Sequence, residues 1–542
     1  MEYDYIVIGA GSAGCVIATR LAEAGATVAL LEAGGKDHHH LIHIPAGVGN
    51  LVYNKKYNWM YSSEPEAATA DRRIHTPRGK VLGGSSSING MLYVRGNRAD
   101  YNQWAAEGCT GWSYDELLPY FKKSEHYVSG GNPEYRGTGG SLQVEDYRTV
   151  LPLTHLFVKA AQEAGFRFTP DMNGEFQEGV GYSQMTRLGR FRGSTYRAFL
   201  ARSSHRHKVD VRTNTLVSSL ILEGRRCVGV RCIRGGVHNE LRARREVILS
   251  AGSINSPQIL QLSGIGDPQH LQSVGIKPIV DFTGVGLNLS DHYTARVVYR
   301  LKKIQSINEL SRGWRLLPEV LKFVCTGRGA LTFGVTSSSV FCKSSEAAAY
   351  PDIQLLFTPA SYVFGRALVL DGEPGMTVAV CPTRPKSRGS VLVGSKDPSD
   401  APKIRFGYMT HPDDMGVMLA GIAHARRILN ADSLAPYVVR EIAPGVQLTD
   451  SQELESFIRS EGSSLYHPIG TCKMGQDESA VVGPDLKVRG VAGLRVADAS
   501  IMPWLPTGNT NAASIVIGER AAQMILEEAH APQTNFSYAT QS

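Results

Sequence analysis

The chain has 542 residues, which exceeds the size of one ordinary hydrophobic core and predicts more than one domain. Its composition, 42% hydrophobic and 20% charged, is that of a globular protein, and no apolar run approaches the roughly 18 residues that a membrane span requires. The net charge of +7 is mild, and the basic clusters at 202–208 and 242–245 lack interleaved aromatic residues. We therefore expect no nucleic-acid partner.

The cysteines and histidines favour neither a disulfide framework nor a metal centre. None of the eight cysteines forms a C-x-x-C pair, which predicts free thiols in a reducing compartment. The histidine run at 38–40 with His43 has no carboxylate or cysteine set at ligand spacing, so it is interpreted as a loop. The first residues leave no room for a basic signal-peptide region. We expect a cytoplasmic protein, with peripheral attachment to the inner face of the membrane left open.

A strand that runs into a glycine-rich turn opens the chain. In its pattern G-x-G-x-x-G, Gly9 allows the tight turn, Gly11 lets the backbone approach a diphosphate, and Gly14 lets the next helix pack closely. The first amides of a helix predicted over 13–24 would face that anion. A second strand then leads to Glu32, whose carboxylate suits ribose hydroxyls. These features predict a dinucleotide-type cofactor site.

Strand-like and helical patterns alternate along the rest of the chain. Short β-type runs broken by glycine and charged turns occupy 208–250, and an α+β pattern fills 292–450. The last hundred residues return to small, glycine-rich sequence. The order predicts an α/β plus α+β fold, in which a nucleotide-binding domain is assembled from separate segments and a second domain is inserted.

Six ordered motifs make the chain resemble the glucose–methanol–choline (GMC) oxidoreductase family over essentially its whole length. They lie at residues 78–96, 252–266, 285–292, 466–475, 494–503 and 508–512. Among the branches of the family, the sequence is most similar to bacterial choline-dehydrogenase-like and aliphatic alcohol dehydrogenases. The resemblance implies a Rossmann-type FAD-binding domain and a substrate domain that contains an antiparallel sheet flanked by helices.

The domain boundaries expected from this organisation alternate between the two domains. They are 1–155 for the first segment of the FAD-binding domain, 156–207 for a substrate-domain segment and linker, 208–300 for the second FAD-binding segment, 301–455 for the substrate-binding domain, 456–530 for the third FAD-binding segment with the catalytic residues, and 531–542 for a loose C-terminal tail.

The resemblance also assigns the FAD contacts. The implied cofactor-binding residues are Gly9, Gly11, Ser12, Ala13, Gly14, Glu32, Ala33, Trp59, Arg78, Val81, Gly83, Gly84, Ser85, Asn89, Gly90, Met91, Leu92, Val217, Ala251, Asp498, Ala499 and Thr510. Some members attach FAD covalently through a histidine at the position where this chain has Ile88. Isoleucine cannot form that bond, so we expect FAD to be held without a covalent link.

The resemblance implies His467 and Asn511 as the catalytic pair. Alcohol oxidation needs a base for the hydroxyl proton while hydride leaves the carbon, and a histidine with a pKa near ~6.5 suits this role near neutral pH. Asn511 would donate a hydrogen bond to the substrate oxygen as it becomes alkoxide-like. No G-x-S-x-G elbow supports hydrolysis instead.

Aromatic residues of the inserted domain, together with one beside the expected base, are candidates for an apolar substrate cavity. They are Phe333, Phe357, Tyr362, Phe364 and Tyr466, and ordinary core packing is the alternative for each. A choline substrate would require a carboxylate near the trimethylammonium group. The motifs place no such carboxylate, and Glu309 is near only in chain order.

The segment 312–324 has an amphipathic pattern with cationic residues and a tryptophan beside an apolar stripe. Such a helix can rest on a membrane surface, where a quinone acceptor would be reached. The alternative is an ordinary helix packed on the substrate domain.

The expected activity is FAD-dependent oxidation of a primary alcohol to an aldehyde, with electrons passed to a quinone or another acceptor that is not oxygen. Three alternatives remain: an alcohol oxidase that uses oxygen and forms hydrogen peroxide, a nucleotide-binding protein that is not an enzyme, and a flavoprotein whose FAD serves a light-driven or non-redox role. The intact pair His467 and Asn511 argues against the last.

Overall fold

A computed structural model describes residues 2–363 and 368–530, so Phe364 and the expected tail 531–542 lie outside the described residues. The strands are β1 Glu2–Ile8, β2 Val28–Leu31, β3 Tyr61–Ser62, β4 His75–Thr76, β5 Glu125–Tyr127, β6 Leu142–Asp146, β7 Gly179–Tyr182, β8 Gln184–Leu188, β9 Phe191–Arg192, β10 Val209–Arg212, β11 Thr215–Glu223, β12 Arg226–Arg234, β13 Val237–Leu249, β14 Ile265–Gly266, β15 Val280–Asp281, β16 Tyr293–Leu301, β17 Ser338–Cys342, β18 Ile353–Thr358, β19 Gly375–Pro382, β20 Ser390–Leu392, β21 Lys403–Arg405, β22 Val438–Ala443, β23 Ser463–Ser464 and β24 Leu494–Val496.

The α-helices pack on these strands. They are α1 Ser12–Glu23, α2 His40–His43, α3 Val48–Leu51, α4 Arg98–Ala106, α5 Tyr114–Ser124, α6 Pro152–Glu163, α7 Gly252–Leu262, α8 Pro268–Ser273, α9 Ile307–Leu310, α10 Leu316–Thr326, α11 Pro412–Leu429, α12 Ser451–Glu461 and α13 Thr510–His530.

The first large sheet holds the nucleotide-type core and has the order β10–β2–β1–β13–β12–β11, with β24 beside β13. The pairs β10–β2, β2–β1, β1–β13 and β13–β24 are parallel. Strands β11, β12 and β13 form an antiparallel meander, so β13 joins the two parts of the sheet. The second half of the central strand β1, residues 5–8, is an apolar run that is buried on both faces. Chain segments near residues 2, 209 and 494 therefore meet in one sheet, which confirms the predicted discontinuous Rossmann-type domain.

The second large sheet has the order β22–β16–β19–β18–β17–β7, with β23 beside β16, and its pairs are antiparallel. Helix α11 covers one face of it. A Cβ added to Gly421 would lie 2.3 Å from Val380 Cγ1, so the close approach of helix and sheet requires glycine there. The opposite face turns towards the first sheet, as the predicted substrate domain requires.

Two strands that begin before the expected 301–455 segment join the second sheet. Strand β7 joins the second sheet, in keeping with a substrate-domain segment within 156–207. Strand β16 lies inside the expected second FAD-binding segment, 208–300, yet it pairs with β19 and β22. Strand β16 therefore belongs to the second sheet, although it begins before the expected boundary at residue 300.

The amphipathic segment forms a 3₁₀ turn, Gly313–Arg315, followed by α10. Among the described helices none is long and apolar enough to cross a membrane. The apolar stripe of α10 does not pack on the substrate domain, unlike Phe323 from the same helix, which is buried. The exposed stripe consists of Trp314 from the 3₁₀ turn, at 76% exposure, and of Leu317 at 67%, Leu321 at 64% and Val324 at 56% from α10.

Candidate active site

A cavity of about 310 Å³ lies between the two sheets, at the carboxyl ends of β1 and β2. Ligands in parallel α/β sheets bind at this edge. Most of the expected cofactor residues line it: Gly9, Gly11, Ser12, Ala13, Glu32, Ala33, Trp59, Arg78, Gly84, Ser85, Asn89, Gly90, Met91, Leu92, Val217, Ala251, Asp498, Ala499 and Thr510. The expected catalytic residues His467 and Asn511 line the same cavity.

Gly14, Val81 and Gly83 do not line the cavity and instead lie behind its wall. A Cβ on Gly14 would meet the Gly9 carbonyl oxygen at 2.0 Å, so α1 packs directly on the turn. Gly83 has a φ of +89° and donates its amide to the Ala10 carbonyl at 2.8 Å. These residues shape the site without facing its interior.

The N-terminus of α1 offers free amide groups to the cavity. Its N-cap residue, Gly11, provides no side-chain hydrogen bond, and no acidic residue lies in the first turn. A Cβ on Gly11 would meet nothing within 4 Å, so space remains directly above this backbone. Uncapped amides at the positive end of a helix dipole bind phosphate. The donor set therefore fits the diphosphate of FAD.

Glu32 is buried at the end of β2, and backbone amides hold its carboxylate. Oε2 accepts a hydrogen bond from the Ala10 amide at 3.0 Å, and Oε1 accepts one from the Gly34 amide at 2.8 Å. Burial raises the pKa of Glu32 to about 7. Each oxygen keeps a lone pair, so the carboxylate is fixed in position and can still accept from hydroxyl groups in the cavity.

Asp498 ties the third nucleotide-binding segment to α7. Its Oδ2 accepts from the Gly252 amide at 2.8 Å and from the Ser256 hydroxyl at 2.6 Å. Its Oδ1 accepts from the Ser500 amide at 2.7 Å. Burial raises the pKa of this carboxyl. The geometry gives Asp498 an organising role in the wall of the cavity.

The segment that follows β4 closes the cavity from the other side. A Cβ on Gly84 would lie 2.7 Å from Gly11 Cα, so two glycine backbones cross here without side chains between them. Ile88 is buried and lines the cavity. Its hydrocarbon side chain has no atom that could bond a flavin, and FAD is accordingly held without a covalent link at this position.

The backbone of His467 is anchored by a buried carboxylate. Asp291 Oδ1 accepts the His467 amide at 2.6 Å, while its Oδ2 accepts the hydroxyls of Ser464, at 2.6 Å, and Tyr408. Tyr466 has a φ of +68°, in the left-handed region that costs a non-glycine residue energy. The Asp291 contacts on either side of Tyr466 hold that strained turn, which aims the imidazole of His467 into the cavity.

A chain of hydrogen bonds fixes the tautomer of His467. His292 Nε2 lies 3.0 Å from the Thr383 carbonyl, which can only accept, so this nitrogen carries a proton. In a neutral ring the His292 Nδ1 is then an acceptor, and it lies 2.9 Å from His467 Nδ1, which must donate. The neutral His467 therefore presents an unprotonated Nε2, which accepts from Asn509 Nδ2 at 3.1 Å.

The surroundings of His467 keep it neutral. Burial lowers its pKa well below 6.5, and the nearby His292 and Arg78 lower it further. Burial also lowers the pKa of His292 to about 4. A proton on His467 Nε2 would in addition face the Asn509 amide donor. Geometry and desolvation thus favour the same form, a neutral base.

Two asparagines near the start of α13 have different contacts. Asn509 donates to His467 Nε2, and its own Oδ1 is buried without a hydrogen-bond partner among the described residues. Asn511, the expected catalytic partner, accepts the Ser12 hydroxyl on Oδ1 at 2.7 Å. That orientation leaves Asn511 Nδ2 able to donate into the cavity that it lines.

The expected substrate aromatics separate into two groups. Tyr362 and Tyr466 line the cavity. Phe357 is buried in the core, stacked on Phe157 at 4.0 Å, and Phe333 packs beside Tyr147, so neither forms the cavity wall. Glu309 caps α9 through the Ser306 amide and pairs with Arg315, and it does not line the cavity. Core packing, the alternative considered from the sequence, describes both phenylalanines.

Sequence reasoning missed three polar residues of this site: Asp291, His292 and Asn509. Each lies inside a quoted motif, 285–292 or 508–512, so the signal was present. Their roles depend on contacts with residues more than 40 positions away, which the motifs do not specify.

The structure has close counterparts among solved proteins. Pyridoxine 4-oxidase from Mesorbium loti superposes with a TM-score of 0.87 at 29% identity, over 97% of this chain and 99% of that one. Formate oxidase gives a TM-score of 0.90 at 27% identity, over 97% of this chain and 98% of that one.

Sequence relatives span the full length as well. An alcohol dehydrogenase (acceptor) from Pseudomonas putida is 40% identical over 533 residues, 97% of this chain and 96% of the relative. An oxygen-dependent choline dehydrogenase from Vibrio vulnificus is 39% identical over 536 residues, 98% and 95% of the two chains. GMC oxidoreductase N- and C-terminal sequence profiles match residues 3–294 and 385–518. The chain belongs to the GMC oxidoreductase family and, with it, to the FAD-dependent oxidoreductases.

Proposed function

We propose that this protein oxidises a primary alcohol to an aldehyde, with His467 as the base and a quinone or another non-oxygen compound as the electron acceptor. The observation that carries the proposal is the unprotonated Nε2 of His467 in the cavity, fixed by the relay through His292 and Thr383. The names of the sequence relatives, an alcohol dehydrogenase and a choline dehydrogenase, support the substrate class.

In this proposal His467 Nε2 accepts the hydroxyl proton of the alcohol as the carbon–hydrogen bond breaks. Bound FAD supplies the acceptor for the hydride. The substrate hydroxyl must displace the Asn509 amide from the His467 lone pair, since one lone pair accepts one donor. Asn511 Nδ2 then donates to the oxygen, where negative charge develops. Asn511 holds this orientation through the Ser12 hydroxyl.

The test is reduction of the flavin by alcohol under anaerobic conditions in a stopped-flow instrument. General base catalysis contributes typically about 10²–10⁴-fold, so His467→Ala should slow the reduction by that factor while FAD remains bound. Asn511→Ala serves as the comparison and should lose less, because it removes a hydrogen bond rather than the proton acceptor. Near-wild-type reduction in His467→Ala would place the base elsewhere.

The electron acceptor distinguishes the proposed function from its main competitor. An alcohol oxidase that forms hydrogen peroxide is the competing function, and the names of the structural neighbours pyridoxine 4-oxidase and formate oxidase favour it. The sequence relatives, which are more similar, divide on this point: the alcohol dehydrogenase at 40% identity is named for a separate acceptor, and the choline dehydrogenase at 39% identity is named oxygen-dependent. We retain the dehydrogenase on the exposed apolar stripe of Trp314, Leu317, Leu321 and Val324, which would give access to a membrane-dissolved acceptor.

The exposed stripe of α10 supports a membrane-dissolved acceptor, and we propose that it rests on an anionic lipid surface. Amphipathic helices with cationic flanks bind such surfaces. Arg312, Lys322 and Arg328 are exposed beside the stripe. Arg312 donates to the Leu370 carbonyl at 2.7 Å, and Leu368, two residues earlier, lines the cavity. A lipid-borne quinone would therefore meet the protein close to the cavity.

A further inference from the structure

Among the described residues of the second sheet, one arginine, Arg296, lines the cavity. In β16 the side chains of Tyr293, Ala295, Val297 and Tyr299 belong to the hydrophobic core on the α11 side of the sheet. Strand residues alternate between faces, so Arg296 points to the opposite side. There it lines the cavity together with Thr377 and Ala379 of the paired strand β19.

Arg296 has no acidic partner among the described residues. Its guanidinium lies 5.9 Å from the centre of the Tyr362 ring, and its charge acts on Tyr466, next to the proposed base. Four residues along the same strand, Arg300 pairs with Asp371 and Glu373, each at 3.0 Å. Arg300 lies on the same face of β16 and is neutralised by its two carboxylates. The lack of an acidic partner is therefore particular to Arg296 and not a property of this strand face.

The other charged residues of the cavity do not compensate Arg296. The carboxylates that line the described cavity are Glu32 and Asp498, which belong to the nucleotide-binding side and accept backbone or hydroxyl donors there. Arg78 is tied to the backbone of the base segment, where it donates to the Tyr466 carbonyl, and Asp291 raises its pKa against the larger effect of burial. The substrate end of the cavity thus presents a neutral His467 and an uncompensated guanidinium.

This charge distribution selects among alcohols. A quaternary ammonium group such as that of choline would face a cation instead of a carboxylate, and like charges repel at this range. A carboxylate would find a planar guanidinium that can donate two hydrogen bonds in parallel. Val335, Leu356 and Ala379 line the same cavity and offer apolar contacts to a short methylene chain.

We propose that Arg296 forms an anion-binding subsite and that the substrate is a primary alcohol with a carboxylate at its far end, an ω-hydroxycarboxylate. The inference rests on the proposed alcohol oxidation for the reaction, but the subsite itself rests on Arg296 and its surroundings. A charge-assisted pair of this kind contributes a factor of about 10–100 in binding. The product would be the corresponding aldehyde carboxylate.

A binding measurement tests the subsite without turnover. Hexanoate, which has no hydroxyl to oxidise, is titrated into the purified holoenzyme while the flavin absorbance is followed. We expect Arg296→Met to weaken hexanoate binding by about 10–100-fold and Arg296→Lys to restore part of it. Arg300→Met is the matched control on the same strand and should bind hexanoate as the wild type does. Equal affinities in wild type and Arg296→Met would overturn the subsite.

Turnover tests the substrate class. The values of kcat/KM for 6-hydroxyhexanoate, 1-hexanol and choline are compared with an artificial dye as acceptor. We expect the hydroxycarboxylate to exceed hexanol by at least about 10-fold in the wild type, and this ratio to fall towards one in Arg296→Met. A preference for choline or hexanol overturns the inference. Hexanoate binding that depends on Arg296, without turnover of any alcohol, instead overturns the proposed reaction and leaves the subsite standing.

Discussion

At the scale of single residues, the proton positions of two imidazoles decide what the cavity can do. His292 is held by the Thr383 carbonyl, and its orientation sets that of His467. Second hydrogen bonds of this kind fix which nitrogen of a histidine is reactive. His292 is thus a positioning residue that acts through His467. The Asp291 carboxylate does the same for the backbone, so both parts of the base are held before substrate enters.

The low pKa of His467 predicts a specific pH profile. Its neutral form is the base, and burial together with His292 and Arg78 holds its pKa well below 6.5. Falling pH should therefore lower the rate of flavin reduction only as the pH approaches that depressed pKa, and the rate should be constant above about pH 7. Stopped-flow reduction at saturating alcohol measures this. A rate that keeps rising between pH 7 and 9 would contradict a neutral His467 as the base.

Glu32 allows a test that needs no turnover. Both of its oxygens accept backbone amides, so in Glu32→Gln the side-chain NH₂ would face an N–H donor. Loss of a charged acceptor for the ribose costs about 1.5–3 kcal/mol, and FAD affinity should fall by about 10–100-fold. Titration of apoprotein with FAD measures it. Glu23→Gln, at the partly exposed end of α1, is the control. Unchanged affinity in Glu32→Gln would remove Glu32 from the site.

At the scale of elements, local pattern and long-range pairing contribute differently. Strand β10 falls inside the predicted β-type region 208–250, and α1 matches the helix predicted over 13–24 to within one residue at each end, because apolar periodicity and turn residues are local signals. The sheet that β16 joins was not predictable from local sequence. Its hydrogen bonds go to β19 and β22, which lie far along the chain. The same limit applies to the site: the motifs indicate His467 but not its contact with His292.

Helix α10 makes the membrane proposal testable. Burial of its stripe in lipid should make the protein sediment with phosphatidylglycerol vesicles and much less with phosphatidylcholine vesicles. Replacing Trp314, Leu317 and Leu321 by serine should abolish sedimentation. The matched control replaces three other exposed apolar residues, Val237, Ile279 and Val446, by serine and should sediment as the wild type does. Equal sedimentation of the two triple variants would assign the binding to another surface.

At the scale of the whole molecule, the two sheets divide the work around one cavity. The first sheet supplies an uncapped helix N-terminus and Glu32, which suit the dinucleotide half of FAD. The second sheet supplies a wall that is apolar at Leu356 and Ala379 and cationic at Arg296. His467 lies where these halves meet. The surface stripe of α10 belongs to the second domain, so the proposed route for electrons leaves on the substrate side.

The reduced flavin should pass its electrons to a quinone faster than to oxygen. If the acceptor is a quinone, turnover with a soluble quinone or an artificial dye should exceed oxygen-linked turnover by at least about 10-fold under air, a difference of about 1.4 kcal/mol in activation free energy. Dye reduction and peroxide formation are measured side by side with the same alcohol. Vesicles that carry a long-chain quinone should support turnover in the wild type and much less in the α10 triple serine variant, whereas a water-soluble dye should serve both equally. Peroxide formed at a rate comparable to dye reduction would show an oxidase, and loss of dye turnover in the triple variant would show that α10 supports the fold rather than acceptor access.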